Sequence, residues 1–185
     1  MKKYGLIIIS AIAICCIVSC EKESENSQEQ WMIANKEALN TIKANPAYKE
    51  LRSPGNESSI YYKALQSGDG TGSIYYTSSV SCYYKGCYIA DYLQYNIKAG
   101  DKFDQRLFDD GPPAVFSIDG SIIPGWKTAL QHMVKGDKWE IWIPYQLGYG
   151  SIDYQPSSSS PKIPGYSTLV FELEVVNVYG IDEVK

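Results

Sequence analysis

Ile122-Ile123-Pro124-Gly125-Trp126-Lys127-Thr128-Ala129-Leu130-Gln131-His132-Met133-Val134-Lys135-Gly136 is the stretch on which the fold turns. Pro124 suits the first position of a helix, where its missing N–H costs nothing. Trp126, Leu130 and Met133 fall on one face at helical spacing, and Gly136 is placed to end the helix. On both sides the apolar period changes to two. Downstream, Trp139, Ile141 and Ile143 alternate with Lys138, Glu140 and Trp142, while Leu169, Phe171, Leu173 and Val175 alternate with Val170, Glu172, Glu174 and Val176. Upstream, Val80, Cys82 and Tyr84 share one face of a strand over residues 79–84. Ile60-Tyr61-Tyr62-Lys63-Ala64-Leu65 makes another, followed by the turn Gly68-Asp69-Gly70. This alternation marks half-buried antiparallel strands. A single short helix among them predicts an α+β domain, a curved antiparallel sheet wrapped over the helix.

Toward the N-terminus the pattern becomes helical again. Ser27-Gln28-Glu29-Gln30 fits a capping box, and Trp31, Ala34, Ala38 and Ile42 follow at helical spacing until Pro46, predicting a helix over residues 28–43. Its apolar stripe is expected to pack on the domain behind it, with a dimer contact as the alternative. Residues 51–58, with Pro54-Gly55-Asn56, read as a loop. Earlier still, Lys2 and Lys3 precede an apolar run over residues 4–18, shorter than the ~20 residues a membrane-spanning helix needs and typical of a secretory leader. The run ends in Ile17-Val18-Ser19-Cys20, which resembles a bacterial lipobox. The resemblance implies cleavage before Cys20, acylation of that cysteine, and anchorage to a bacterial envelope membrane, the outer membrane being preferred. An ordinary secretory signal with an incidental Cys20 is the alternative. The acidic stretch over residues 21–28 reads as a solvated tether. The expected organisation is a leader over 1–19, a tether with the helix over 20–58, and the main domain over 59–185.

Composition excludes much. The chain has 185 residues, 44% of them hydrophobic, with 17 Lys+Arg against 21 Asp+Glu and a formal charge of −4. That is enough chain for one domain with a real core. It is too apolar for disorder throughout, and no Lys/Arg excess marks a nucleic-acid partner. His132 is the single histidine, which excludes His-rich metal sites and disfavours a Ser–His–Asp relay, and no metal or cofactor is expected. With Cys15 and Cys16 leaving in the leader, Cys82 and Cys87 remain. A bridge between them is open, with two free thiols preferred.

In chain order the sequence then presents Val80-x-x-x-Tyr84-x-Gly86, Phe103-Asp104, Ile122-Ile123-Pro124-Gly125-Trp126, Gly136, Tyr149-Gly150, Ile163-Pro164 and Thr168-Leu169-Val170-Phe171. This ordered set resembles the FKBP-type peptidyl-prolyl cis-trans isomerase domain over residues 60–178. The resemblance implies a five- or six-stranded half-barrel over one helix, with a shallow apolar pocket between them. It makes Trp126 the pocket floor. Tyr84, Phe103, Ile122, Ile123, Ile163 and Phe171 become its walls, with Phe116 as a further substrate-binding aromatic. It further implies that Tyr149 hydrogen-bonds a bound carbonyl, that the N–H of Ile123 binds another, and that Asp104 stands at the pocket edge. Tyr84, Asp104 and Tyr149 are therefore the expected catalytic set. Proline-containing polypeptides are the expected substrates, macrolides possible inhibitors, and a monomer the favoured state.

Such a pocket needs no nucleophile. Rotation about a peptide bond is opposed by ~18–20 kcal/mol of resonance, and uncatalysed X–Pro exchange takes tens to hundreds of seconds. A cavity that removes water from the planar ground state, with fixed donors matched to the twisted one, lowers that barrier. Some positions depart from the family. Arg106 comes early for a partner of Asp104, Asp109 and Asp110 stand where that arginine is expected, Ala114 replaces an aromatic, and Lys162 precedes Ile163. Residues 87–102 and 151–162 are longer than in minimal members, and the serine run over 157–160 reads as a surface excursion. Two other functions are weighed: the same fold acting as a chaperone without turnover, and a sugar-stacking platform built from Tyr75, Tyr76, Tyr83, Tyr88 and Tyr92. An acid pair drawn from Asp101, Asp104, Asp109 and Asp110 carries little weight.

Overall fold

The computed structural model describes residues 15–55, 57–70, 72–89, 102–158 and 160–180, with side chains from residue 27 onward. The first part of the expected leader, and residues 90–101 with Tyr92, lie outside the described residues. Helix α1 (Cys15–Ala44) leads into seven strands, β1 (Lys49–Arg52), β2 (Ser59–Gln66), β3 (Ser79–Tyr88), β4 (Lys102–Arg106), β5 (Ala114–Ser117), β6 (Lys138–Ile143) and β7 (Leu169–Tyr179). The short helix α2 (Pro124–Leu130) sits between β5 and β6.

All the strands join one antiparallel sheet in the order β1-β2-β6-β7-β3-β4, with β5 also on β3. Strand β3 organises the far edge. Its first half, Ser79 to Cys82, pairs with β5, and its second half, Tyr84 to Cys87, pairs with β4. Thus β4 and β5 act as one edge strand interrupted by a 3-10 turn at Phe108–Asp110. The expected α+β half-barrel is what forms, with two additions. Lys49–Arg52, partly assigned to a loop, pairs with β2 as the opposite edge. The strand expected over residues 79–84 runs on to Tyr88.

Both faces of the sheet are covered. On the concave face, Val80, Cys82, Ile141, Leu173 and Val175 close over Ala129 and Leu130 of α2 and over Met133 just beyond it in the main core. Gly125 makes this approach possible, because a Cβ there would stand 2.4 Å from Ile143 Cγ2. Helix α2 proper ends at Leu130, earlier than expected, and Gly136 (φ 87°) closes the turns that follow, its N–H donating to Val175 O. On the convex face, Ala38 and Ile42 of α1 pack on Tyr61, Trp142 and Val170. The helical stripe therefore docks on the domain, and Trp142, on the charged side of its strand's alternation, is buried.

Helix α1 begins well before the predicted start. Residues 21–28, expected as a tether, are helical backbone, and Ser27, expected as N-cap, lies inside the helix. The reason is local: Glu, Lys and Gln dominate that stretch, all good helix formers, and no Gly or Pro interrupts until Pro46. Among the described residues no helix is long and apolar enough to cross a membrane.

Cys82 and Cys87 are both buried. Five positions apart on one strand, they point to opposite faces, which rules out a bridge between them.

Ile42 is fully buried at the centre of the convex-face contact. Ile42→Ala is expected to lower the free energy of unfolding by about 2–4 kcal/mol, read from a urea titration followed by tryptophan fluorescence.

Candidate functional site

The site begins with a residue that has no side chain. Gly86 continues the concave face of β3 after Tyr84, and a Cβ there would lie 2.5 Å from Phe171 Cε1 and 2.9 Å from Phe103 Cζ. The two phenyl rings occupy that space and meet edge-on at 5.5 Å. Phe171 then meets Trp126 at 5.2 Å and 84°. Trp126 is also met edge-on by Tyr84 at 5.2 Å and by Phe116 at 5.1 Å. Tyr149 approaches the other end of the cluster, 6.3 Å from Phe103. Each pair is close to perpendicular, the arrangement that sets a positive ring edge against a negative face.

The predicted site residues thus come together, but at two depths. Phe103, Trp126, Ile163 and Phe171 are buried, and Ile163, expected as a wall, is only 1% exposed and belongs to the core. Tyr84, Phe116, Ile122, Ile123 and Tyr149 are half-buried and pack on that floor as a rim. Phe116 shows where the family's missing aromatic went: Ala114 is two residues back on β5, and Phe116 supplies the ring beside Trp126. Trp126 Nε1 is a buried donor with no acceptor among the described residues.

Polar groups ring the aromatic floor. Tyr84 Oη donates to Asp104 Oδ2 at 2.9 Å across the β3–β4 ladder. Burial raises the Tyr84 phenol well above its ordinary value, reinforced by the hydrogen bond to Asp104 and its charge and opposed by Arg106. Burial also pushes the Tyr149 phenol up to about 12, with Tyr154 and Asp104 adding to the effect. Both hydroxyls therefore stay protonated as donors at neutral pH. The one on Tyr84 is committed to Asp104, and the one on Tyr149 has no acceptor among the described residues.

Arg106 does not neutralise Asp104. Its Nη1 donates to the carbonyl of Asp110, and the two ion pairs among the described residues, Lys138–Glu172 and Lys162–Asp153, leave Asp104 out. Asp110 is taken up locally, its Oδ2 accepting from Leu107 N and Gln105 Nε2. Lys162 is turned to Asp153 instead of the rim, and its hydrogen bond to that carboxylate lowers the Asp153 pKa.

Sequence reasoning missed Tyr154. Its ring stacks on Tyr149 at 4.2 Å and 8°. A two-way backbone bridge to Ile163 (2.9 and 2.8 Å) and the bond from Gly165 N to Asp153 Oδ1 hold it there. The base of the 151–162 loop is therefore an ordered hairpin, and only its tip is an excursion. The signal was an aromatic five residues beyond Tyr149, hidden by the serines that follow.

Among the described residues the tyrosine platform does not assemble. Tyr83 and Tyr88 are on opposite faces of β3, Tyr88 stacks on Phe103, and Lys127 Nζ stands 5.6 Å from the centre of the exposed Tyr76 ring. A groove of about 340 Å³ does exist on the convex side of β3, lined by Tyr83, Lys85, Phe108, Lys138, Glu172 and Glu174, meeting the aromatic site only at Tyr84.

A family sequence model described as FKBP-type peptidyl-prolyl cis-trans isomerase matches residues 74–176. The FKBP-type 22 kDa peptidyl-prolyl cis-trans isomerase of Escherichia coli is 41% identical over 83 residues, 43% of this chain and 37% of that protein. The human peptidyl-prolyl cis-trans isomerase FKBP2 is 40% identical over 83 residues, 44% of this chain and 54% of that one. The chain thus spans less than two thirds of the length of these curated relatives. Among solved structures, a peptidyl-prolyl cis-trans isomerase from Pseudomonas syringae pv. tomato superposes with a TM-score of 0.62 at 30% identity, covering 82% of this chain and 96% of that one. FkpA from Escherichia coli gives the same TM-score at 24% identity over 92% of this chain and 74% of that one, a likeness of fold. With more than half of its residues matched by the family model and the aromatic site assembled from the family's positions, this chain belongs to the FKBP-type peptidyl-prolyl cis-trans isomerase family.

Proposed function

We propose that this protein catalyses cis–trans isomerisation of X–Pro bonds in exported or envelope polypeptides, using the aromatic cluster around Trp126 as its prolyl site. The observation that carries this reading is the juxtaposition of a dry, edge-on aromatic floor with a phenol, Tyr149, whose hydroxyl keeps its proton and has no partner within the described chain. A proline ring set against the edges of Tyr84, Phe116 and Trp126 would leave water behind. That withdraws solvent from the planar, polar form of the amide, whose resonance is the barrier. As the amide twists, nitrogen loses conjugation and the carbonyl dipole turns. Tyr149 Oη, held by its stack on Tyr154, donates to a carbonyl of the substrate without having to reorganise. Asp104, fixed by Tyr84, places a negative charge on one side of the site and favours the orientation that turns the positive carbonyl carbon toward it. No bond is made to the protein, so protons and electrons stay where they began. Macrolides that present a prolyl-like ring and carbonyls would compete for the same floor.

We further propose that the protein works from a bacterial envelope membrane, anchored through acylated Cys20. The support is the sequence Ile17-Val18-Ser19-Cys20 behind an apolar run. More than one acyl chain on that cysteine makes attachment stable where a single chain would not.

Tyr149→Phe is expected to lower kcat/KM in a proline-peptide assay about tenfold, the ~1.4 kcal/mol of one hydrogen bond. Asp104→Ala is expected to cost less, about threefold, because its carboxylate is exposed and screened. Full activity in both variants overturns the site assignment. Because the Tyr149 pKa is raised from 10.0 to about 12, its donor survives through the range where a free phenol ionises, so kcat/KM is expected to stay level from neutrality to pH 10.0. Cys20→Ser is expected to move the protein from the membrane to the soluble fraction on cell fractionation, and unchanged membrane partition overturns the anchor.

A further inference from the structure

The inward side of α1 does two different things along its length. Ala38 and Ile42 lie flat on the convex face of the sheet. Two turns earlier, Trp31 and Asn35 reach around the end of the sheet to the segment that leads from the Tyr154 hairpin into β7. Asn35 is 2% exposed, and its Oδ1 accepts the backbone N–H of Thr168 at 2.7 Å. Its Nδ2 is spent on Trp31 O at 2.8 Å, which fixes the amide's orientation. Trp31 Nε1 donates to Ser167 Oγ at 3.2 Å, and Ser167 Oγ donates onward to Pro164 O at 2.6 Å.

We propose that Trp31 and Asn35 are positioning residues of the prolyl site, so that the N-terminal helix sets the placement of Tyr149 and Phe103 within it. Two separate lines connect them to it. The first runs through the backbone: Ser167 and Thr168 are clamped by the helix, and Ile163, a few residues earlier, is bridged to Tyr154 and so to the ring that stacks on Tyr149. The second runs through rings: Trp31 meets Tyr88 edge-on at 6.1 Å, Tyr88 stacks on Phe103 at 6.1 Å and 13°, and Phe103 touches both Tyr149 and Phe171.

The clamped segment needs outside support. Tyr166 has φ 62°, the one positive φ at a non-glycine among the described residues. Such a conformation is strained for a residue with a side chain and persists where its surroundings over-determine it. Here those surroundings are the bond from Tyr166 N to Gly150 O, the Tyr145 ring at 5.0 Å, and the two helix contacts on the next two residues. Simple docking of a helix would be served by apolar contacts alone. A buried amide aimed at one particular N–H instead specifies register, since losing it strands that donor. Both residues lie outside the stretch matched by the family model, which begins at residue 74.

This inference rests on the isomerase reading for its kinetic arm and stands apart from it for its structural arm. Trp31→Ala, Trp31→Phe, Asn35→Ala and the comparator Ile42→Ala are made in the full chain and measured by proline-peptide kinetics and by hydrogen exchange with mass spectrometry. Ile42→Ala weakens the same helix without touching residues 163–168. Trp31→Ala and Asn35→Ala are expected to lower kcat/KM about five- to tenfold, mainly through KM. They are also expected to speed amide exchange over residues 163–168. Trp31→Phe, which keeps the contact with Tyr88 and loses the bond to Ser167, is expected to fall between them and the native protein. Ile42→Ala is expected to lose thermal stability with kcat/KM and exchange over 163–168 unchanged. If Trp31→Ala and Asn35→Ala match the native protein in both measurements, or if Ile42→Ala impairs kcat/KM as much as they do, the helix is only a stabilising element and the proposal fails. A native protein without isomerase activity sinks the functional reading alone, and exchange over 163–168 still decides the positioning role. Should the alanine variants fail to fold, Trp31→Phe decides.

Discussion

Two phenyl rings lie where the side chain of Gly86 would be, and the rest of the site is arranged around that fact. With no Cβ on β3, Phe103 from the edge and Phe171 from the neighbouring strand meet across it. Their contact makes the surface on which the indole of Trp126 rests, and Trp126 in turn fixes where Tyr84 and Phe116 stand. A network of perpendicular rings resists sliding better than a stack of aliphatic chains, because each ring's edge is set against its neighbour's face. The surface is therefore set in advance. That is what the proposed isomerisation, a reaction without covalent chemistry, requires, since its only tool is a shape and a field prepared beforehand.

The sheet is covered on both sides, and the two coverings differ in character. Helix α2 is short, sunk against Ile143 through Gly125, and carries Trp126 in its first turn. Helix α1 is long and surface-bound. It rests on Tyr61, Trp142 and Val170 by apolar contact and grips residues 167 and 168 by directed hydrogen bonds. Curvature of the sheet brings these two coverings to opposite sides of the same few strands, so an element remote in sequence becomes a neighbour of the site.

Much of this was legible in the sequence because it rests on local period and on residues with little freedom of role. Pro124 at a helix start, the alternation through Trp139, Ile141 and Ile143, and the ordered Tyr84, Gly86, Phe103-Asp104 and Trp126 elements led to the sheet, the helix and the aromatic cluster. Most of what escaped notice depends on long-range partners. Lys49–Arg52 is too short and polar to announce a strand and exists because β2 offers it an edge. Residues 21–28 looked like a tether on charge, while helix propensity decided their backbone. Tyr154 was lost in a serine-rich loop because its position comes from a bridge to Ile163, nine residues away. The depth of Ile163 could not be read from a motif that marks only which positions line a pocket.

The thiols on β3 have a further consequence. Burial, helped by the charge of Glu174, pushes Cys82 up to about 12, so at neutral pH its reactive anion is on the order of one molecule in 10⁵. Cys87 faces the other way, also enclosed. In an oxidising milieu neither sulfur meets an oxidant while the native state holds, and both become vulnerable together whenever β3 opens. For this chain, reaching the folded state promptly is also its means of keeping both sulfurs out of reach.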